Sequence, residues 1–198
     1  MRALVVFCHP SSNSFTAAVR GVVMARLATR GAEVREHDLY ARGFDPVLSA
    51  SALAGYLDEA TNRSGVAQEV DDLIWCDTLI FIYPTWWYGL PALLKGWLDR
   101  VLLPGVAFKV PRDPEKPIRP GLTGITRLGV FTTCGAGWWL TRWVGAPGRR
   151  TLLRGLRVLC APRCRTGFAT LYKIESSSAD RRARHLARTG RTLDRLLR

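Results

Sequence analysis

Asp77-Thr78-Leu79-Ile80-Phe81-Ile82-Tyr83-Pro84-Thr85-Trp86-Trp87-Tyr88-Gly89-Leu90-Pro91 is the stretch whose reading decides the fold. Its first half is a short apolar run of β-branched and aromatic residues, too short for a helix and suited to a strand buried on both faces. Pro84 has no N–H for a ladder and restricts the residue before it, so the strand is expected to stop there. Three aromatics then crowd a loop, Gly89 permits a tight turn, and Pro91 suits the first position of a new helix. A solvated loop normally avoids three adjacent large rings, which points to a flat group lying against them. Strand, aromatic loop and helix together form the kind of edge at which an open α/β sheet holds a ligand, beyond the carboxyl ends of its strands.

Outward from this stretch, strand and helix patterns alternate. Arg2 to Cys8 reads as a first strand, and Phe15 to Arg30 has helical periodicity ended by Gly31. Between them lies His9-Pro10-Ser11-Ser12-Asn13-Ser14, with Ser14 the natural N-cap. A hydroxyl-rich loop leading into a helix N-terminus favours a phosphate, although an ordinary capped turn has the same look. Glu33 to Asp38 reads as a second strand, Ser49 to Leu57 and Val66 to Trp75 as helices, and Pro91 to Leu102 as an amphipathic helix. Val106 to Gly124 is rich in proline and glycine and reads as an excursion. Leu128 to Thr133 is a fourth core strand, followed by the loop Thr133-Cys134-Gly135-Ala136-Gly137-Trp138-Trp139. Thr151 to Leu159 looks helical, Arg163 to Leu171 is a fifth strand, and Ala179 to Leu197 is a final helix with an apolar stripe of Ala183, Leu186, Leu193 and Leu197.

This alternation implies one α/β domain over residues 1–198, with a parallel sheet covered on both faces. The first turn lacks both G-x-G-x-x-G and a Walker A lysine motif, which argues against a dinucleotide-binding Rossmann half and an NTPase. The expectation is a flavodoxin-like three-layer sandwich, a five-stranded parallel sheet of order 2-1-3-4-5.

The formal net charge is +13, and only Lys95, Lys109, Lys116 and Lys173 among the basic residues are not arginine. Such a surface attracts polyanions without naming one. No apolar run is long enough for a membrane span, and no signal peptide is apparent, so a cytoplasmic protein is expected. Five scattered cysteines suit reduced thiols. Cys160 and Cys164 suit one helical face, but no further cluster completes a zinc site. Trp75 and Trp97 read as core, whereas Trp86, Trp87, Trp138 and Trp139 fall in loops. His37 and His185 show no partner pattern.

Three blocks carry a resemblance: His9 to Phe15; Tyr83 to Val101, reading YPTWWYGLPALLKGWLDRV; and Thr132 to Gly137. Asp38-Leu39-Tyr40 with Phe44-Asp45-Pro46 adds to them. Over about residues 2–140 the chain resembles the flavodoxin-like NAD(P)H:quinone oxidoreductases, the DT-diaphorase type and its shorter bacterial members. The resemblance implies a noncovalent flavin (FMN or FAD), NADPH or NADH as co-substrate, a quinone-like acceptor, ping-pong hydride transfer through flavin N5, and a homodimer with its sites at the interface. It would place His9, Ser14, Phe15 and Thr16 around the flavin phosphates. Pro84, Thr85, Trp86, Trp87 and Tyr88 would follow the ring edge, with Thr133, Gly135 and Gly137 on the other side. Long animal members have a tyrosine and a histidine lining the quinone pocket shortly after the glycine loop; this chain has Trp138-Trp139-Leu140-Thr141-Arg142-Trp143, so Trp138, Trp139 and Arg142 are the catalytic candidates. Arg142 has three readings: a partner for the reduced flavin, a contact for the NADPH phosphate, or a plain surface arginine. No protein acid or base stands out, because the cofactor carries the chemistry.

Other classes stay open on sequence alone. An electron-carrier flavodoxin shares the fold but belongs to an acidic family. An ancillary subunit of a membrane ion transporter is a second alternative. The arginines of the last helix, without interleaved aromatics, suit phosphate attraction or a weak association with acidic membranes better than specific nucleic-acid binding.

Overall fold

The computed structural model describes residues 1–111, 113 and 115–198; Arg112 and Pro114, inside the expected proline-rich excursion, lie outside the described residues. The elements run β1 (Arg2–Phe7), α1 (Phe15–Thr29), β2 (Glu33–Asp38), α2 (Ala50–Ala54), α3 (Ala67–Trp75), β3 (Thr78–Thr85), α4 (Ala92–Val101), β4 (Phe108–Lys109), β5 (Arg119–Pro120), β6 (Arg127–Cys134), α5 (Trp138–Trp143) and α6 (Pro147–Arg150). A π-helical segment (Thr151–Leu156) and a 3-10 turn (Arg157–Leu159) continue α6, before β7 (Arg165–Tyr172) and α7 (Ala179–Leu196).

Five parallel strands form one sheet in the order β2-β1-β3-β6-β7, the expected flavodoxin-like order once the small β4-β5 hairpin is set aside. β3 is its axis. Leu79, Phe81 and Tyr83 pack into one layer with Trp97 and Leu94 of α4 and Leu73 of α3. Ile80 and Ile82 pack into the other with Val19 and Val23 of α1 and Leu193 and Leu196 of α7. The alternation follows from the two-residue period of a strand covered on both faces. Gly129 and Gly167 face one another across β6 and β7. A Cβ on either would come within 3.2–3.3 Å of the Leu196 side chain, so the two glycines let α7 settle close onto the sheet.

Several expectations change. β3 does not stop at Pro84 but pairs with β6 through Thr85 opposite Cys134. Cys8 N donates to Ile82 O, so even-numbered residues of β3 face β1. Pairing with β1 ends at Phe7 opposite Ile82: the next bond would run from an N–H at position 84 to the Cys8 carbonyl, and Pro84 has none, so the proline ends the ladder on the β1 side while the β6 side continues. Pro91 is the residue before α4, not its first. The helix expected over 151–159 begins at Pro147 and is π-helical over Thr151–Leu156. Trp138 and Trp139 open a short helix rather than ending a loop.

The buried stripe of α7 is His185, Thr189, Gly190, Leu193 and Leu196, with Ala183 exposed. Gly190 gives the Arg26 guanidinium room at this contact with α1. Trp97 is fully buried as expected, but Trp75 is half-buried beneath Arg35, whose guanidinium lies 4.1 Å from its ring centroid. Cys160 and Cys164 flank a turn and share no helix, and no metal-binding cluster occurs among the described residues.

Candidate active site

Three strand-to-helix connections gather at the carboxyl ends of β1, β3 and β6, where the strand order reverses. The first is His9 to Ser14. Ser14 Oγ accepts the Ala17 amide at 3.1 Å, and its carbonyl accepts the Ala18 amide. The amides of Phe15 and Thr16 have no protein acceptor among the described residues, and the first turn holds no acid. This leaves an uncompensated positive helix end. The His9 ring folds back on its own loop, with Nδ1 accepting the Ser11 amide at 2.9 Å. Partial burial holds the His9 pKa below its ordinary value, against a contribution from the Ser11 backbone that raises it.

The second connection is Trp86 to Gly89. Gly89 N donates to Trp86 O at 2.9 Å, and the two central residues are both left-handed, Trp87 at φ 47° and Tyr88 at φ 60°. This is the geometry of a type I′ turn, which ordinarily selects asparagine and glycine. Each aromatic held there costs about 1–3 kcal/mol, and such strain collects at ligand clamps. The glycine of the turn is not its left-handed residue, contrary to expectation. The close approach here belongs to Gly148, on which a Cβ would lie 3.1 Å from the Gly89 carbonyl carbon. Trp87 is 93% exposed, while Tyr88 is half-buried.

The third connection is Gly135 to Gly137. Lys173 N donates to Ala136 O and Ile174 N to Cys134 O, so the loop carbonyls are tied to the end of β7. The amides of Gly135, Ala136 and Gly137 have no protein acceptor among the described residues. The Glu175 carboxylate lies over Gly135, 2.9 Å from where a Cβ there would stand, so a side chain at this position would displace it. Thr141 Oγ1 donates to Gly137 O at 2.9 Å and fixes the start of α5.

Hydroxyls stitch the three connections together. Thr16 Oγ1 lies 3.3 Å from Thr133 Oγ1 on the α1 side of the sheet, and Thr85 Oγ1 lies 2.9 Å from Thr132 Oγ1 on the other. Sequence reasoning missed Thr132. It also missed a cavity of about 20 Å³ behind the site, bounded by Tyr83, Thr132, Thr170 and Tyr172, in which the Thr170 hydroxyl has no protein partner. A space of that size holds one water. Tyr83 ends the core layer here, and burial raises its phenol pKa. Cys8 and Cys76 are pushed up to about 12 by burial and stay thiols.

The aromatic candidates beyond the glycine loop sit slightly apart. Trp138 and Trp139 meet edge to face at 4.6 Å, and the Arg142 guanidinium lies 5.8 Å from the Trp138 ring centroid. Trp139 and Trp143, one turn apart on α5, are 79% and 84% exposed. His37 is not a bare histidine: its Nε2 donates to Asp72 Oδ2 at 2.8 Å, and Asp72 also accepts from Arg35 and Gln68. Burial raises the Asp72 pKa, but these donors outweigh it and hold the carboxyl low. This network braces β2 against α3, away from the three connections.

The comparisons fit this arrangement. An uncharacterized NAD(P)H oxidoreductase of Haemophilus influenzae is 37% identical over 137 residues, 69% of this chain and 65% of its own length. The NAD(P)H dehydrogenase [quinone] 1 of Rattus norvegicus is 34% identical over 123 residues, 54% of this chain and 45% of its own. The chain thus spans about half to two thirds of the length of the curated relatives it matches. The solved NAD(P)H:quinone oxidoreductase of Methanothermobacter marburgensis is 26% identical, with a TM-score of 0.82 over 100% of this chain and 98% of that one. The Flavodoxin_2 family model, described as a flavodoxin-like fold, matches residues 1–161, and the chain belongs to that family.

Proposed function

We propose that this protein is a flavin-dependent NAD(P)H oxidoreductase that reduces quinones or related electrophiles. The observation that carries the reading is the convergence of three connections with unpaired amides around a strained turn of exposed aromatics. The residues fit a noncovalent flavin, FMN or FAD. Phe15 and Thr16 amides at the start of α1 would take a phosphate, with Ser14 shaping the turn and His9 closing its side. Pro84, Thr85 and Trp86 would follow the ring, with Trp87 and Tyr88 against it. The amides of the Gly135–Gly137 loop would face the negative charge of a reduced ring, with Thr133 beside them.

The cofactor would supply acceptance and donation of hydride. The chain's own part is to hold the ring, keep water from it, and leave one face open for NAD(P)H and the acceptor in turn. Trp138, Trp139 and Arg142 would line that open side. No residue near the site is assigned as a proton donor. His9 is engaged by Ser11, and neither His37 nor His185 belongs to the three connections.

Relatives named as quinone dehydrogenases support a quinone-like acceptor. The exposed Trp87, Trp139 and Trp143 support a homodimer in which a second subunit covers them. All five thiols are free and buried, which fits a reducing compartment such as the cytoplasm. No helix among the described residues is long and apolar enough to cross a membrane.

The test is a visible absorption spectrum of the purified protein under nitrogen. Flavin bands that bleach with NADPH or NADH and return with a quinone bear the reading out. Chromatography of the heat-released cofactor separates FMN from FAD. A colourless protein that takes up no added flavin refutes it.

A further inference from the structure

The charge of this protein is unevenly placed. Acidic residues stop at Glu115 and resume at Glu175, and the segment between carries eleven arginines and lysines with no acid. In the fold this segment closes a pocket of about 210 Å³ between α5, the helix that starts at Pro147, and β7. Arg142, Arg149, Arg150 and Arg154 line it, with Thr166 supplying a hydroxyl.

Several arginines elsewhere are neutralised: Arg20 pairs with Glu36, Arg35 with Asp72, Arg42 with Glu69 and Arg26 with Asp194. Others, such as Arg184 and Arg191 on α7, point singly into solvent; what sets the pocket apart is that four converge on one hollow. The four pocket arginines form no ion pair among the described residues. Two of them nonetheless pack on aromatic rings. Arg142 stacks on Trp138, and Arg149 lies 5.0 Å from the Phe168 ring centroid. Arg150 Nη1 reaches back over Gly145, to 3.2 Å from where a Cβ there would stand. Four exposed guanidinium groups around one hollow repel each other, and no carboxylate among the described residues offsets that repulsion. A bound anion relieves it.

The form of the pocket selects the anion. Guanidinium forks match phosphate oxygens pairwise, and a phosphomonoester brings nearly two charges where a carboxylate brings one. The hollow suits a phosphoryl group on a sugar rather than a polymer laid across a surface. Its place selects the source. Ala146 and Arg149 also border the small cavity behind Tyr83 and Thr85, so the pocket adjoins the site proposed for the flavin ring. A ligand that reaches the ring and also presents a phosphomonoester in the adjoining pocket is a phosphorylated dinucleotide.

We propose that this pocket takes the 2′-phosphate of NADPH and makes the protein prefer NADPH to NADH. The inference rests on the oxidoreductase reading for its ligand, and its test does not need turnover. Calorimetric titration with adenosine 2′,5′-bisphosphate and with 5′-AMP isolates the 2′-phosphate. The wild type is expected to bind the bisphosphate at least tenfold more tightly. That advantage should vanish in R150Q/R154Q and persist in R184Q/R191Q, which removes the same charge from the exposed face of α7. Circular dichroism checks folding, and the single variants R150Q and R154Q, each expected to lose part of the advantage, replace the double one if it unfolds. In turnover, the ratio of kcat/KM for NADPH over NADH should fall at least tenfold in R150Q/R154Q.

Equal binding of both nucleotides by the wild type overturns the proposal, as does an advantage that survives R150Q/R154Q. Inorganic phosphate that binds without any preference between the nucleotides also overturns it, leaving a site for free phosphate. A protein with no flavin that still shows the bisphosphate advantage supports the pocket and sinks the oxidoreductase reading. A working flavoenzyme without the advantage does the reverse.

Discussion

Mild acid should loosen the contact between α7 and the start of α1 through one imidazole. His185 is 4% exposed on the inner face of α7, its Nε2 has no protein partner among the described residues, and its ring lies 6.0 Å from that of Phe15. Burial lowers its pKa from 6.5 to about 4, helped by the nearby Arg188 charge. Between those values the unfolded chain binds the proton and the folded chain resists it, so stability rises with pH. The contribution is complete above about pH 6.5 and is lost as the pH falls toward 4. At ~1.4 kcal/mol per pKa unit the whole difference is ~3 kcal/mol, of which ~2 kcal/mol is gone at about pH 5.

The assay is urea unfolding at about pH 7.5 and about pH 5, for the wild type and for H185L. Leucine keeps an apolar contact with Phe15 and cannot titrate. Carboxylates such as Asp72, which lose their own contribution only at lower pH, affect both proteins alike and cancel. The wild type should lose ~2 kcal/mol more than H185L between the two conditions. Because Phe15 opens α1, the wild type's flavin affinity should fall over the same range. Equal losses in the two proteins refute the reasoning, since they would mean that His185 is solvated or paired in the fold.

Other substitutions follow from single contacts. Ser14→Ala removes the side-chain cap of α1 and should cost ~1 kcal/mol in chemical denaturation, with weaker flavin binding by fluorescence quenching. Gly96→Ala puts a methyl 2.3 Å from Pro46, a backbone neighbour that cannot swing away; a loss of about 1–3 kcal/mol is expected in the same assay. Gly148→Ala presses on the Gly89 backbone at 3.1 Å, so it should weaken flavin affinity more than global stability. A wild-type flavin dissociation constant in that variant would detach the Trp87–Tyr88 turn from the site.

The elements that sequence displayed well are those whose determinants are local. β3 was visible because an eight-residue strand buried on both faces leaves an unbroken apolar run. α1 was visible because its stripe, its serine cap and Gly31 all lie within one window. Pro84 misled in part: it ends the ladder to β1 as its missing N–H implies, but β3 runs on because its other edge pairs with β6, a fact that belongs to another strand. The start of the helix at Pro147 was hidden by Gly145-Ala146-Pro147-Gly148, which has the composition of a turn. Two of those residues do hold left-handed backbone, but they lead straight into helix. His37 and Asp72 lie 35 residues apart and meet only because β2 and α3 pack together, so no spacing rule finds them.

The same division runs through the site. Which loops carry it was legible, because hydroxyls, glycines and tryptophans stand out against ordinary loop composition. What each loop offers was not. The left-handed pair fell on Trp87 and Tyr88 rather than on Gly89, and the free amides of the glycine loop exist because Lys173 and Ile174 pin its carbonyls from the end of β7. Net charge was legible as a sum, but a sum has no address. Arg149, Arg150 and Arg154 became a pocket because the turn at Gly145 and Ala146 folds their helix against β7, and no carboxylate among the described residues pairs with them. In this chain residue type announces the chemistry, and the neighbours supplied by distant strands decide which atoms remain free to perform it.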